Sequence, residues 1–336
     1  MKELLIAVLI LLGALVLGCR QSNDTSQNDP HEDKGQKTVS LQLQWVTQAQ
    51  FAGYYLALDK GWFKDVGVEV EIIPGGPDIV PVDLVASGTR DFGTTLLADL
   101  ALAVQRGKPV TSIAQIQQNN GLRLIARKTS QISSPKDFRG KKIGVWLGGW
   151  EVQFNALLAR FDIPAESLNI ISQGFSMTPF IQGRLDVASA MIYNEYHMVL
   201  ESGIPARELI VIDYGDFELD FPGDVLFTSD RTIHENPELC RKMVKAALKG
   251  WQYALAHPME AVDSVLKNDR SGVARRDHQE KMMGEISRLV QPKTPGRIGL
   301  TRPDDLARMI DLLVQYKVLG SAISPDMIFT NRFVEQ

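Results

Sequence analysis

Residues 39–95 alternate between strand-like and helix-like periodicity, and few folds accept that order. The run VSLQLQW (39–45) alternates apolar and polar side chains, as a half-buried strand does. FAGYYLALDKGWF (51–63) then carries apolar residues at helical spacing, with Gly61 as a stop signal. A second strand, VEVEIIP (68–74), ends at Pro74-Gly75-Gly76-Pro77, which lacks the Lys-Ser/Thr of a phosphate loop and reads as a rigid turn. DLVASGTRDFGTT (83–95) adds a short helix and a strand starting at Asp91. In such α/β units, side chains at strand C-terminal ends open on a crevice where small ligands bind. That crevice is expected to receive Gln44, Trp45, Gln48 and Gln50, then Thr94 and Thr95. A Trp among amides and hydroxyls suits a flat, polar, aromatic ligand.

A second set of alternating elements follows. KIGVW (142–146) reads as a strand, residues 147–149 as a turn and WEVQFNALLARF (150–161) as a helix. LNIISQ, a short helix over 178–185, DVASAMIYN, a helix over 196–202 and LIVIDYG continue the pattern. DVLFTSD (224–230) returns as a strand, and residues 236–256 form a long helix with Pro237 in its first turn. The chain is helical from there to residue 316. About three hundred folded residues exceed one ordinary core. The expected architecture is therefore α/β with two lobes: lobe I from 38–126 and 221–336, lobe II from 127–220. Crossings near 121–126 and 220–224 would make a hinged clamshell that closes around ligand.

The N-terminal apolar run, residues 4–18, is shorter than the ~20 residues of a membrane span and ends in Gly18-Cys19. It reads as a lipoprotein signal peptide (1–18), with Cys19 as the lipid anchor in the bilayer. Residues 19–37 are rich in Ser, Asn, Asp and Gln without apolar pattern, and are expected to be a disordered tether. The expected location is the outer, extracytoplasmic face of the cell membrane. Cys240 is then left without a partner, so no disulfide framework is expected. The five His are scattered, giving no metal spacing, and a net charge of −4 gives no reason to expect nucleic acid.

LQLQWVTQAQFAGYYLALDKGWFKDVGVEVEI (41–72) resembles a family that includes the pyrimidine-precursor-binding proteins of bacterial ABC importers and the fungal thiamine-pyrimidine synthases. Leu43-Gln44-Trp45 and the G-x-Y-x-A-x-x-x-G-x-F run at 53–63 carry the likeness, together with ISSPKDFRGKKIGV, MIYNEY and NPELCRKMVKAALKGWQYALAHPMEAV. The resemblance extends over roughly residues 39–329. It implies a periplasmic-binding-protein clamshell (type II-like) serving as the receptor of an ABC permease. It also implies that Trp45 packs on the ligand ring and that an acidic residue, carried over to Glu195, reads the ring's amino and N–H groups. Tyr193, Asn194 and Tyr54 join the expected site.

The residues themselves add further candidates. Gln44 and Gln48 offer amide donors and acceptors for a heterocycle edge. Gly148-Gly149-Trp150 allows close backbone approach and an opposing aromatic wall. Thr94 and Thr95 precede a helix over 97–105, where one is expected to cap it and the other to contact ligand.

The synthases of the family carry a reactive His in an N-x-N-H-x-G loop. Here the loop is Thr47-Gln48-Ala49-Gln50-Phe51-Ala52-Gly53, and Phe51 stands in the His place. No catalytic residue and no cofactor are expected. Many pyrimidine binders of the family read L-D-W where this chain has Gln44 before Trp45. The loop Q-W-x-x-Q-A-Q-F-A-G looks like that of the riboflavin-binding branch. The ligand expected is riboflavin, with a formylaminopyrimidine thiamine precursor as the alternative and a pyrimidine-synthase-like enzyme as a further one.

Overall fold

A computed structural model describes residues 38–147, 150–291 and 297–334. Their strands run in chain order as β1 (Val39–Gln42), β2 (Val70–Ile73), β3 (Phe92–Leu96), β4 (Val110–Gln115), β5 (Leu122–Arg127), β6 (Lys142–Val145), β7 (Asn169–Ser172), β8 (Val187–Met191), β9 (Leu209–Asp213) and β10 (Asp224–Ser229). They form two five-stranded mixed sheets, ordered β2-β1-β3-β10-β4 and β7-β6-β8-β5-β9. β1 is parallel to β2 and β3, and β10 is antiparallel to β3 and β4. The second sheet repeats the plan: β6 is parallel to β7 and β8, and β5 is antiparallel to β8 and β9.

β5 corrects one expectation. Residues 122–126 were assigned to lobe I and to the first crossing, yet they pair on both edges within the second sheet. Its run LRLIAR buries Leu122, Leu124, Ile125 and Ala126, as a strand between two neighbours must. The chain passes between the sheets over residues 116–121 and returns over 214–223.

β1 stops at Gln42, three residues earlier than the alternation predicts. The chain then bends away, and the Pro74–Pro77 turn packs beneath it. The Gly75 N–H donates to the Trp45 carbonyl at 2.8 Å. A Cβ on Gly75 would lie 2.2 Å from the Leu43 carbonyl oxygen, so only glycine allows this approach.

The helix Ala52–Asp59 packs against the helix Pro237–Ala256 through another close approach. A Cβ on Gly250 would sit 2.0 Å from the Gly53 carbonyl oxygen, and one on Gly53 would meet the Trp251 ring at 2.4 Å. The long helix presents Met243, Val244, Ala247, Gly250, Trp251 and Ala254 inward at helical spacing. Asn236 caps it, its side chain accepting from the Leu239 N–H at 3.2 Å. This pair of helices fixes where the loop after β1 enters the cleft.

No described helix is long and apolar enough to cross a membrane. Cys19, the segment around it and Gly148-Gly149 lie outside the described residues.

Candidate functional site

Three strand ends converge on one cleft. Trp45, Gln48 and Gln50 follow β1, Trp146 and Trp150 follow β6, and Met191, Tyr193, Asn194 and Glu195 end β8 or follow it. All lie at or beyond the C-terminal ends of parallel strands, where the α/β plan opens side chains onto a crevice. The walls are aromatic. The Trp45 ring lies 5.7 Å from Trp146 and 5.8 Å from Trp150, both edge-on, and 4.9 Å from Phe175. The cavity volume is about 10 Å³, far below the ~300–1,000 Å³ of ordinary small-molecule sites. A fused-ring ligand seated here must part Trp45 from the two second-sheet tryptophans.

Behind Trp45 sits a buried carboxylate. Asp224, the first residue of β10, accepts from the side-chain amides of Gln44 at 2.9 Å, Gln50 at 2.7 Å and Gln117 at 3.0 Å. Burial pushes its carboxyl up to about 6, and the Gln50 and Gln44 donors pull it back down. A carboxylate only accepts, so it orients every amide that touches it: NH₂ toward Asp224, carbonyl away. Gln50 passes this orientation on, because its carbonyl oxygen accepts from the Gln48 amide at 2.7 Å. The Gln44 carbonyl oxygen is buried without a partner.

On the opposite wall, Glu195 begins the helix Glu195–Glu201. One carboxylate oxygen accepts from the Met191 N–H at 2.9 Å and the other from the Asn194 amide at 2.8 Å. The Asn194 carbonyl oxygen lies 2.9 Å from His278 Nε2, and His278 Nδ1 lies 3.2 Å from both Glu201 oxygens. His278 belongs to the helix Arg276–Val290, so this chain of contacts ties the C-terminal helices to the second sheet's side of the cleft.

Glu195 carries a pH signature. It is 2% exposed, and burial pushes its carboxyl from 4.5 up to about 7 against the hydrogen bonds from Met191, its own backbone and Asn194. The folded value is raised, so the unfolded chain ionises first. The group's contribution to stability therefore falls as pH rises from 4.5 toward about 7 and levels off above that. Between about pH 5 and about pH 8 the native protein is expected to lose on the order of 2–3 kcal/mol that Glu195→Gln does not lose. Urea denaturation of both proteins at the two pH values checks this. Parallel pH slopes would show that the carboxyl titrates normally.

The structure separates the expected site residues. Trp45, Gln48, Trp150, Tyr193, Asn194 and Glu195 meet around the cleft, joined by Gln50 and by two residues not singled out from sequence, Trp146 and Met191. Gln44 stands behind it, its amide donated to Asp224 rather than turned to a ligand edge. Tyr54 is away from it as well, buried edge-on against Trp251 at 5.8 Å. Thr94 and Thr95 do not begin a helix. They lie within β3, paired with Leu226 and Val225, because β10 extends the ladder to Leu96. The Thr94 hydroxyl accepts the Gln44 N–H at 3.0 Å, and the helix Leu97–Gln105 has no side-chain cap. Thr95 lines a neighbouring cavity. Asp224, Gln117 and His278 escaped the sequence reading altogether.

Among the described residues, no three His, Cys, Asp or Glu gather as metal ligands. The family model described as NMT1/THI5 like matches residues 48–261. A formylaminopyrimidine-binding protein of Halalkalibacterium halodurans is 26% identical over 77% of this chain and 77% of its own length. The riboflavin-binding protein RibY of Chloroflexus aurantiacus is 26% identical over 99% of this chain and 98% of its own. A pyrimidine phosphate synthase of Saccharomyces cerevisiae is 26% identical over 66% and 68%. Among solved structures, the ligand-binding component of an ABC-type import system from Staphylococcus aureus superposes with a TM-score of 0.66 at 13% identity, covering 90% of this chain and 99% of that one. A Candida albicans protein described as having the generic periplasmic binding protein fold gives 0.65 at 16% identity, covering 87% and 93%. The fold is that two-lobed α/β clamshell.

Proposed function

The chain belongs to the NMT1/THI5-like family, and from that premise we propose that it is the extracytoplasmic receptor of an ABC importer, delivering riboflavin to its permease. The observation that carries the reading is the aromatic cleft between two sheets, with Trp45 on one side and Trp146, Trp150 and Tyr193 on the other. Such walls suit a planar fused ring. Gln48 lines the cleft, its amide held by Gln50 and Gln50 by Asp224, an order that suits reading a ring edge. The names of the two binding-protein relatives support a heterocyclic ligand.

The synthase alternative is disfavoured by Phe51, which puts a buried phenyl ring where the enzymes carry their reactive His. The formylaminopyrimidine alternative has one observation in its favour. Glu195, buried in the cleft wall with a carboxyl raised to about 7, can accept from ring amino groups. Lipid attachment at Cys19 is part of the proposal, and fatty-acid labelling lost in Cys19→Ser is its check.

Titration by tryptophan fluorescence tests the ligand. Riboflavin is expected to quench at micromolar concentration, and an aminopyrimidine only weakly. The reverse order would replace riboflavin with the pyrimidine precursor.

A further inference from the structure

A second cavity lies beside the first, with Trp150 lining both. Its cavity volume is about 100 Å³. Thr95 of β3 and Asp99, in the first turn of the helix Leu97–Gln105, line it, with Asp83, Arg106 and Lys108. Lys108 is paired with Asp83 at 3.1 Å. Asp99 has no such partner. It is 9% exposed, and its Oδ2 is buried without a hydrogen bond. Burial, reinforced by the charges of Glu151 and Asp224, holds its carboxyl well above the usual carboxylate range.

A carboxyl buried without a partner disfavours the folded chain, and an apolar residue would pack the same helix face at lower free energy. Its place on a cavity wall gives it a use. A hydroxyl group donates to a carboxylate and accepts from a carboxylic acid, so it satisfies Asp99 in either protonation state. The Thr95 hydroxyl on the same wall adds a second donor and acceptor.

We propose that Asp99 and Thr95 form the subsite for a polyhydroxylated side chain, carried by a ligand whose ring lies between Trp45 and Trp150. The proposal rests on the heterocycle reading above and deepens it: it selects a ring that bears a polyol, as riboflavin does, over a bare aminopyrimidine.

Riboflavin and lumiflavin test it. Lumiflavin is the same isoalloxazine with a methyl group in place of the ribityl chain. The native protein is expected to bind riboflavin more tightly than lumiflavin. Asp99→Ala is expected to weaken riboflavin by about tenfold or more, Asp99→Asn by less because its amide still pairs with a hydroxyl, and both to leave lumiflavin within about twofold. Both variants are expected to melt no lower than the native protein, because Asp99 has no partner to lose. If riboflavin and lumiflavin weaken together, or neither weakens, the subsite is wrong and the receptor reading stands. If the native protein binds neither flavin, the riboflavin reading fails, and the subsite with it.

Discussion

Replacing Asp224 with alanine is expected to destabilise the protein by about 3 kcal/mol and to weaken ligand binding at the same time. The carboxylate is the shared acceptor of three side-chain amides, from Gln44, Gln50 and Gln117. All three glutamines are buried. Each amide N–H left without an acceptor costs about 1–3 kcal/mol, partly offset by removing a buried charge. The loss reaches the cleft because Gln50 would no longer be held, and Gln48 leans on Gln50. Asp224→Asn keeps the shape but brings its own NH₂ against other donors, so an intermediate loss is expected. Equilibrium urea denaturation measures both. An Asp224→Ala variant within about 0.5 kcal/mol of the native protein would mean the amides find other partners.

Trp45→Ala is expected to weaken binding of the planar ligand by about tenfold to a hundredfold. Trp45 lines the cleft on the first sheet's side and touches Trp146, Trp150 and Phe175. Aromatic stacking contributes roughly 0.5–1.5 kcal/mol beyond the burial of ring surface, and each 1.4 kcal/mol is about a factor of ten. Trp45→Phe keeps an aromatic face and is expected to recover most of the loss. Titration of both variants with riboflavin reads this directly. If Trp45→Ala binds as the native protein does, the ligand does not lie against this residue.

The parts of this architecture that depend on local periodicity were visible in the amino-acid order. Alternation marked β1, helical spacing marked the helix after it, and Gly61, at φ +72°, ends its helix as a stop signal should. The placement of Trp45, Trp150 and Glu195 beyond strand ends followed from the same pattern. Asp224 did not, because nothing near it in sequence distinguishes it from a surface residue before a strand. Its role comes from partners up to 180 positions away. The same holds for the helix Arg276–Val290. Gln279 accepts the Ala49 N–H at 2.7 Å and His278 reaches Asn194, contacts that only the folded chain brings together. Thr94 and Thr95 were misplaced for a related reason: local turn chemistry favoured a helix start, and pairing with β10 overrode it. Nothing in β5 itself marks which sheet it joins, because its partners β8 and β9 lie far along the chain.

The central claim is that the cleft holds a flat heterocycle reversibly and leaves it chemically unchanged. Equilibrium dialysis of the purified protein against riboflavin, followed by spectroscopy and mass measurement of the recovered ligand, tests it in one experiment. One ligand is expected to be retained per chain and recovered with its mass and spectrum intact. No retention of riboflavin or of a formylaminopyrimidine, or recovery of a converted product, would contradict it.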